Sequence, residues 1–200
     1  MRADMAGDIE ALGLLEIEGM ARAIRAQDAA LKRAPVVVLA CAPVSPGKAV
    51  LLFGGDVASV AESLADAEAV AGSRCIDRLF LPGVHPSVVS AVQGKRSARA
   101  SETLAVLELN SLAATVLAAD SAVKAADVAL GRLHLATGFG GRGFFTLWGA
   151  QSHVEAAVAA ALAAAGERAL DHEIIPAPHD EIDQAAFVRP WPLDPANSAS

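Results

Sequence analysis

The sequence predicts an α+β fold built twice: two tandem domains, each running strand, helix, strand, strand, helix, strand. Three observations predict it. Short segments recur in order, with Ala11-Leu-Gly-Leu-Leu-Glu16 answered by Thr103-Leu-Ala-Val-Leu-Glu108, Asp28-x-x-x-Lys32 by Asp120-x-x-x-Lys124, and Leu81-Pro82-x-x-His85 by Ile175-Pro176-x-x-His179. Self-similarity at a fixed period marks a duplicated structural unit. The copies lie 92 residues apart at Ala11 and Thr103 but 94 apart at Pro82 and Pro176, so two residues were gained in between, inside a glycine-bearing loop. Within each copy the apolar residues pass from compact runs to helical spacing and back, in the order of the ferredoxin-like split unit.

The elements follow from local signals. Leu12 to Ile17 is a compact apolar run that reads as a buried strand. From Met20 to Ala34 the large apolar residues Met20, Ile24 and Leu31 recur beside Ala23, Ala30 and Ala34, which predicts a helix with one buried stripe; Leu112, Val116 and Val123 repeat those positions. Pro35 ends the helix, and the valine-rich Val36 to Ala42 predicts a strand matched by Val128 to Leu135. Loops at Pro43 to Lys48 and Ala136 to Arg142 then lead to strands at Ala49 to Phe53 and Gly143 to Trp148, so each pair should form a hairpin. Asp56 and Ser152 are the expected caps of helices running to about Ala71 and Ala165, with Gly72 and Gly166 as terminators. Strands near Ile76 to Leu81 and Leu170 to Ile175 close the copies, and Pro86 suits the first turn of a short helix from His85 to Gln93. The expected organisation is a flexible leader at 1–10, domains at 11–93 and 102–186, a linker at 94–101 and a disordered proline-bearing tail at 187–200.

Composition narrows the function. Each half is near the size of an independent core. Apolar residues make up 54% of the chain and aromatic residues 4%, with no tyrosine, so packing must be aliphatic and alanine-rich. A net charge of −7 opposes nucleic-acid binding despite the local run Lys95, Arg96 and Arg99. The longest apolar stretches fall short of the roughly 20 residues that cross a bilayer, so no membrane partner is expected. Cys41 and Cys75 match no metal or disulfide spacing, and no secretory leader is evident, which points to the cytoplasm.

The element order, with Leu-Gly-Leu-Leu-Glu opening the first strand, Asp-Ala-Ala-Leu-Lys on the first helix and proline then histidine closing each copy, resembles the bacterial microcompartment shell domain. The resemblance covers the span from Ala11 to about Asp183 twice, and Val44-Ser-Pro-Gly-Lys48, Val84-His-Pro-Ser-Val88 and His134-Leu-Ala-Thr-Gly-Phe-Gly-Gly-Arg142 are most similar to the tandem members of propanediol-utilisation compartments. It implies a homotrimer that forms a single-layer pseudohexameric disc in a microcompartment shell, packed edge to edge with other shell proteins and pierced by an axial pore for small metabolites. The unshifted element order argues against the stacked, gated kind.

On that resemblance the hairpin loops line the pore: Val44, Ser45, Pro46 and Gly47 from the first copy, Thr137, Gly138, Phe139 and Gly140 from the second, with Lys48 and Arg142 as flanking charge. Lys32 and Lys124 are implied to meet neighbouring discs at the tile edge; their spacing to Asp28 and Asp120 also permits an ion pair along the helix. Propanediol-type relatives are implied to hold an iron–sulfur cluster through a cysteine that here is Ser45, and a hydroxyl lacks the soft thiolate such a cluster requires. No cofactor, metal site or catalytic group is therefore expected. Gly138-x-Gly140-x-x-Gly143 imitates a dinucleotide fingerprint, but a strand, not a helix, follows it. His85 and His179 are expected to serve the domain junction. The expected function is thus a non-enzymatic shell tile; the alternatives are a shell protein with a redox metal centre at its pore and a non-shell trimer that binds a small molecule.

Overall fold

The computed structural model describes residues 9–95, 102–135, 139–180 and 182. In the first repeat β1 (Ala11–Glu18), β2 (Val37–Val44), β3 (Lys48–Gly55) and β4 (Cys75–Pro82) form an antiparallel sheet in the order β2-β3-β1-β4, joined by α1 (Met20–Arg33) and α2 (Val57–Ala71). The helix α3 (Pro86–Val92) leads to the second repeat. There β5 (Thr103–Leu109), β6 (Ala129–Leu135), β7 (Gly143–Gly149) and β8 (Ala169–Pro176) pair in the equivalent order β6-β7-β5-β8, with α4 (Leu112–Ala125) and α5 (Gln151–Ala165). The strand and helix order is the one the duplication predicted. The expected leader, linker and tail fall largely outside the described residues.

The capping expectations divide. The Asp56 carboxylate accepts the Ser59 amide at 2.9 Å and starts α2, and hydrogen bonds from the Ser59 side chain and amide hold its carboxyl below the ordinary range. Ser152 does not cap α5: the helix begins at Gln151 after Ala150, which occupies the repeat position of Asp56, so Ser152 lies inside the first turn. Gly72 and Gly166 terminate α2 and α5 at φ values of 57° and 54°, their amides bonding back to the Glu68 and Leu162 carbonyls. His85 caps α3 through its ring nitrogen, with Pro86 in the first turn.

The buried stripe of α1 is not the one its large residues suggested. Ala23, Ala26 and Ala30 face the sheet beside Leu15, Ile17, Leu51 and Phe53, while Ile24 is 54% and Leu31 48% exposed. Alanines let α1 settle close to the sheet and to α2, where the Ser63 hydroxyl donates to the Ala30 carbonyl at 3.0 Å. The branched residues are then turned outward. In the second repeat the matching Val116 and Val123 are buried at 0% and 8%.

That contrast has a structural cause. The helix α4 lies between the two sheets, touching β5, β6 and β7 of its own repeat and β1 and β4 of the other. Val116 and Val123 therefore share one apolar cluster with Leu12, Leu14, Leu79 and Leu81 on the far face of the first sheet. The halves do not each enclose a separate core, as their lengths had suggested; the second core runs on into the first sheet. A helix apolar round most of its circumference must be covered there, and α4 is buried at ten of its fourteen residues.

A polar anchor fixes the contact. Glu16 on β1 is fully buried, and its Oε1 accepts the amides of Leu112 at 2.7 Å and Ala113 at 3.3 Å at the start of α4. The Ser111 hydroxyl lies 3.0 Å from the same oxygen and also bonds Asp77 Oδ2, while Lys48 reaches Glu16 at 3.1 Å and Arg168 reaches Asp77 at 3.2 Å. At the other end Asp120 Oδ1 accepts the His85 amide at 2.8 Å, so His85 does serve the junction, through its backbone. A carboxylate at a helix amino terminus satisfies orphan donors and meets the positive end of the helix dipole.

Replacing Glu16 by Ala strands those amides and the Lys48 ammonium. The expected loss is about 2–4 kcal/mol in urea unfolding, with the transition broadening as the two repeats uncouple.

Candidate pore hairpins

Each hairpin is positioned by its strands. Val44 pairs with Lys48 across the first one, so β2 and β3 run further than expected and leave a three-residue turn, Ser45–Gly47, with a cis peptide at Ser45–Pro46. All three turn residues are exposed. Val44, expected to line the pore, is only 6% exposed and belongs to the core cluster at the hairpin base. The alternation of strand faces explains this: Val44 lies on the same sheet face as Val50 and Leu52, which belong to the same core cluster.

In the second hairpin Thr137 and Gly138 lie outside the described residues, and the description resumes at Phe139. Gly140 and Gly141 take φ values of 61° and 80°, and the Arg142 amide donates to the Phe139 carbonyl at 3.1 Å. This segment is held by rings. Phe139 meets Phe144 edge-on at 5.6 Å, His134 stacks on Phe144 at 4.9 Å, and the Arg132 guanidinium stands 5.6 Å from the same ring centre. The pairing registers put Ala42 in the first repeat where His134 stands in the second, and Val50 where Phe144 stands. The glycine count of the loop had concealed this anchoring.

The two hairpins touch. A Cβ added at Gly141 would lie 2.4 Å from the Ser45 carbonyl oxygen and 3.4 Å from the Pro46 ring. One repeat's turn thus rests against the other's.

The expected flanking cations differ in state. Lys48 is 20% exposed at its side chain and is paired with buried Glu16, whereas Arg142 is exposed beside the second turn. Beyond the hairpins, Lys95, Arg132 and His134 line a cavity of about 220 Å³ between the end of α3 and β6. The lysines assigned to an edge both pair with the aspartate one turn earlier: Lys32 with Asp28 at 2.6 Å, both exposed, and Lys124 with Asp120 at 2.5 Å, where Asp120 is buried.

The donor chemistry does not suit an iron–sulfur cluster. The turn offers the Ser45 hydroxyl, and Cys41 lies inside β2, where burial pushes its thiol up from the ordinary range. Burial first, then the nearby Glu68 carboxylate, raises Cys75 likewise on the distant β4. Among the described residues no group of three histidine, cysteine or acidic side chains is placed to hold a metal ion. The glycine pattern at Gly140 and Gly143 opens β7, so no helix end points at a phosphate.

Gly141→Ala tests the contact between the turns. A side chain there meets a carbonyl at 2.4 Å in a left-handed backbone, so we expect a destabilisation of about 2–4 kcal/mol by thermal unfolding. The same change at Gly140, where an added Cβ meets nothing within 4 Å, should cost only about 1 kcal/mol.

Comparison with known proteins places this architecture. Residues 11–84 and 103–178 each match the family model for the BMC domain. The chain is 39% identical over 175 residues to the bacterial microcompartment shell protein PduT of Citrobacter freundii, covering 86% of this chain and 95% of that one. It is 46% identical over 66 residues to the bacterial microcompartment shell protein EutK of Escherichia coli K12, covering 33% of this chain and 39% of that one. The crystal structure of a microcompartment protein from Desulfitobacterium hafniense DCB aligns with a TM-score of 0.82 at 38% identity, covering 88% of this chain and 99% of that one. With the family domain present twice and the likeness sustained over nearly the whole of a shell protein, the chain belongs to the BMC domain family and is a structural shell protein of a bacterial microcompartment.

Proposed function

We propose that three copies of this chain close into a flat pseudohexameric facet tile, which packs edge to edge with other shell proteins and passes small metabolites through a central pore. One observation carries the reading. The contact between repeats is made once within the chain, by α4 against the first sheet, and the counterpart of α4 stands open at the other end: α1 exposes Ile24 and Leu31 where α4 buries Val116 and Val123. A heterologous contact that repeats must either close a ring or run on as a filament. Six repeats closing a ring are three chains.

The hairpins sit side by side, so ring closure gathers three turns of each kind around one hole. Ser45, Pro46 and Gly47 offer hydroxyls and carbonyls there, with Phe139 and Gly140, and with Thr137 and Gly138 as proposed from the sequence. Arg142 is the flanking cation open to solvent, which favours anionic metabolites by raising their local concentration; Lys48 is already neutralised by Glu16. Lys32, exposed and held only by a surface pair worth a few tenths of a kcal/mol, is available to a neighbouring tile, with Lys124 as its counterpart.

Sedimentation of the full chain should give a trimer, and electron micrographs of the protein alone and with single-domain shell partners should show sheets or closed shells. Ile24→Asp combined with Leu31→Asp should yield folded monomers. A trimer that never enters sheets would favour the small-molecule-binding alternative. Stoichiometric iron in anaerobically purified protein would favour a redox centre; we expect none, and Ser45→Cys is the substitution expected to acquire it.

A further inference from the structure

We infer that the contact between copies has its own polar anchor. In it, Glu108 of one copy accepts the amides at the start of α1 in the next, and Asp171 pairs with the next copy's Arg74. This rests on the ring reading and deepens it.

The same kind of surface occurs twice, once covered within the chain and once not. Within the chain Glu16 takes the start of α4, Lys48 supports Glu16, and Arg168 bonds Asp77. Shifted by the repeat spacing, those positions are Glu108, Arg142, Arg74 and Asp171, so every charge of the anchor is kept in sign. Asp28 and His179 likewise stand where Asp120 and His85 do. Among the described residues Glu108 is half-buried with no side-chain hydrogen bond, Asp28 holds the exposed Lys32 one turn on, and Gly19 gives α1 no side-chain cap. Arg74 lies beside Gly19, its guanidinium 3.7 Å from a Cβ placed there, as the anchor requires. Asp120 is 3% exposed, whereas its counterpart Asp28 is open to solvent.

Two departures set the strength of the contact. Gly19 replaces Ser111, so the hydroxyl shared by the two carboxylates is missing, and Glu173 replaces the buried Leu79 on the sheet face. The contact between copies is therefore weaker than the one within the chain, and the trimer should dissociate before the repeats separate.

The test is sedimentation velocity over a concentration series on the full chain. Glu108→Gln should raise the trimer dissociation midpoint about tenfold or more while circular dichroism and the thermal unfolding of the monomer stay as in the parent. Arg74→Asp should do the same, and adding Asp171→Arg should restore the trimer. Glu62→Gln, a surface change on α2, should have no effect. If the parent is a trimer and the Glu108 and Arg74 variants associate as tightly as it does, this anchor is wrong and the ring stands. A parent that is monomeric at all concentrations overturns both.

Discussion

The fold depends on one buried carboxylate. Glu16 sits at the foot of β1 with no exposed surface and turns both oxygens to partners outside its own strand, the first amides of α4 and the Lys48 ammonium. A charge taken out of water at this cost persists only where its partners are fixed, so Glu16 also dictates where α4 begins and how the second repeat is set against the first. Apolar contacts such as those of Val116 and Val123 add favourable burial, each about 1.5–3 kcal/mol, but they are non-directional. Register between the repeats comes from the ionic end.

Most of the architecture was legible because duplication shows each element twice. A valine-rich run with proline before it, a proline after His85, and the glycines that end α2 and α5 each have one local meaning, and the structure kept those meanings. Two expectations failed for different reasons. The spacing of Met20, Ile24 and Leu31 located a helix but could not say that alanine, not isoleucine, would face the sheet, because close approach is a property of both surfaces. Ser152 looked like a cap because it is a capping residue near the right place; the repeat alignment with Asp56 points to Ala150 and would have corrected it.

The site was less legible than the fold. The resemblance named the hairpins and their flanking cations, yet the inward turn of Val44, the neutralisation of Lys48 by a residue 32 positions away and the packing of Phe139 on Phe144 all depend on pairing registers that one strand does not encode. The reading of Cys41 as a strand residue held, since the strand opened by the valine run at Val36 continues over it. Divergence between the repeats was visible as letters and became interpretable only as a contact made in one place and left open in the other.

The bite of the Ser45 carbonyl against Gly141 has a mechanical meaning. The two turns are geared: neither can shift without carrying its neighbour, and a bulkier residue inherited on one side must be answered on the other. In the proposed ring, aperture size is a joint property of two gene segments, which confines tuning to the exposed tips and leaves the meshing teeth small.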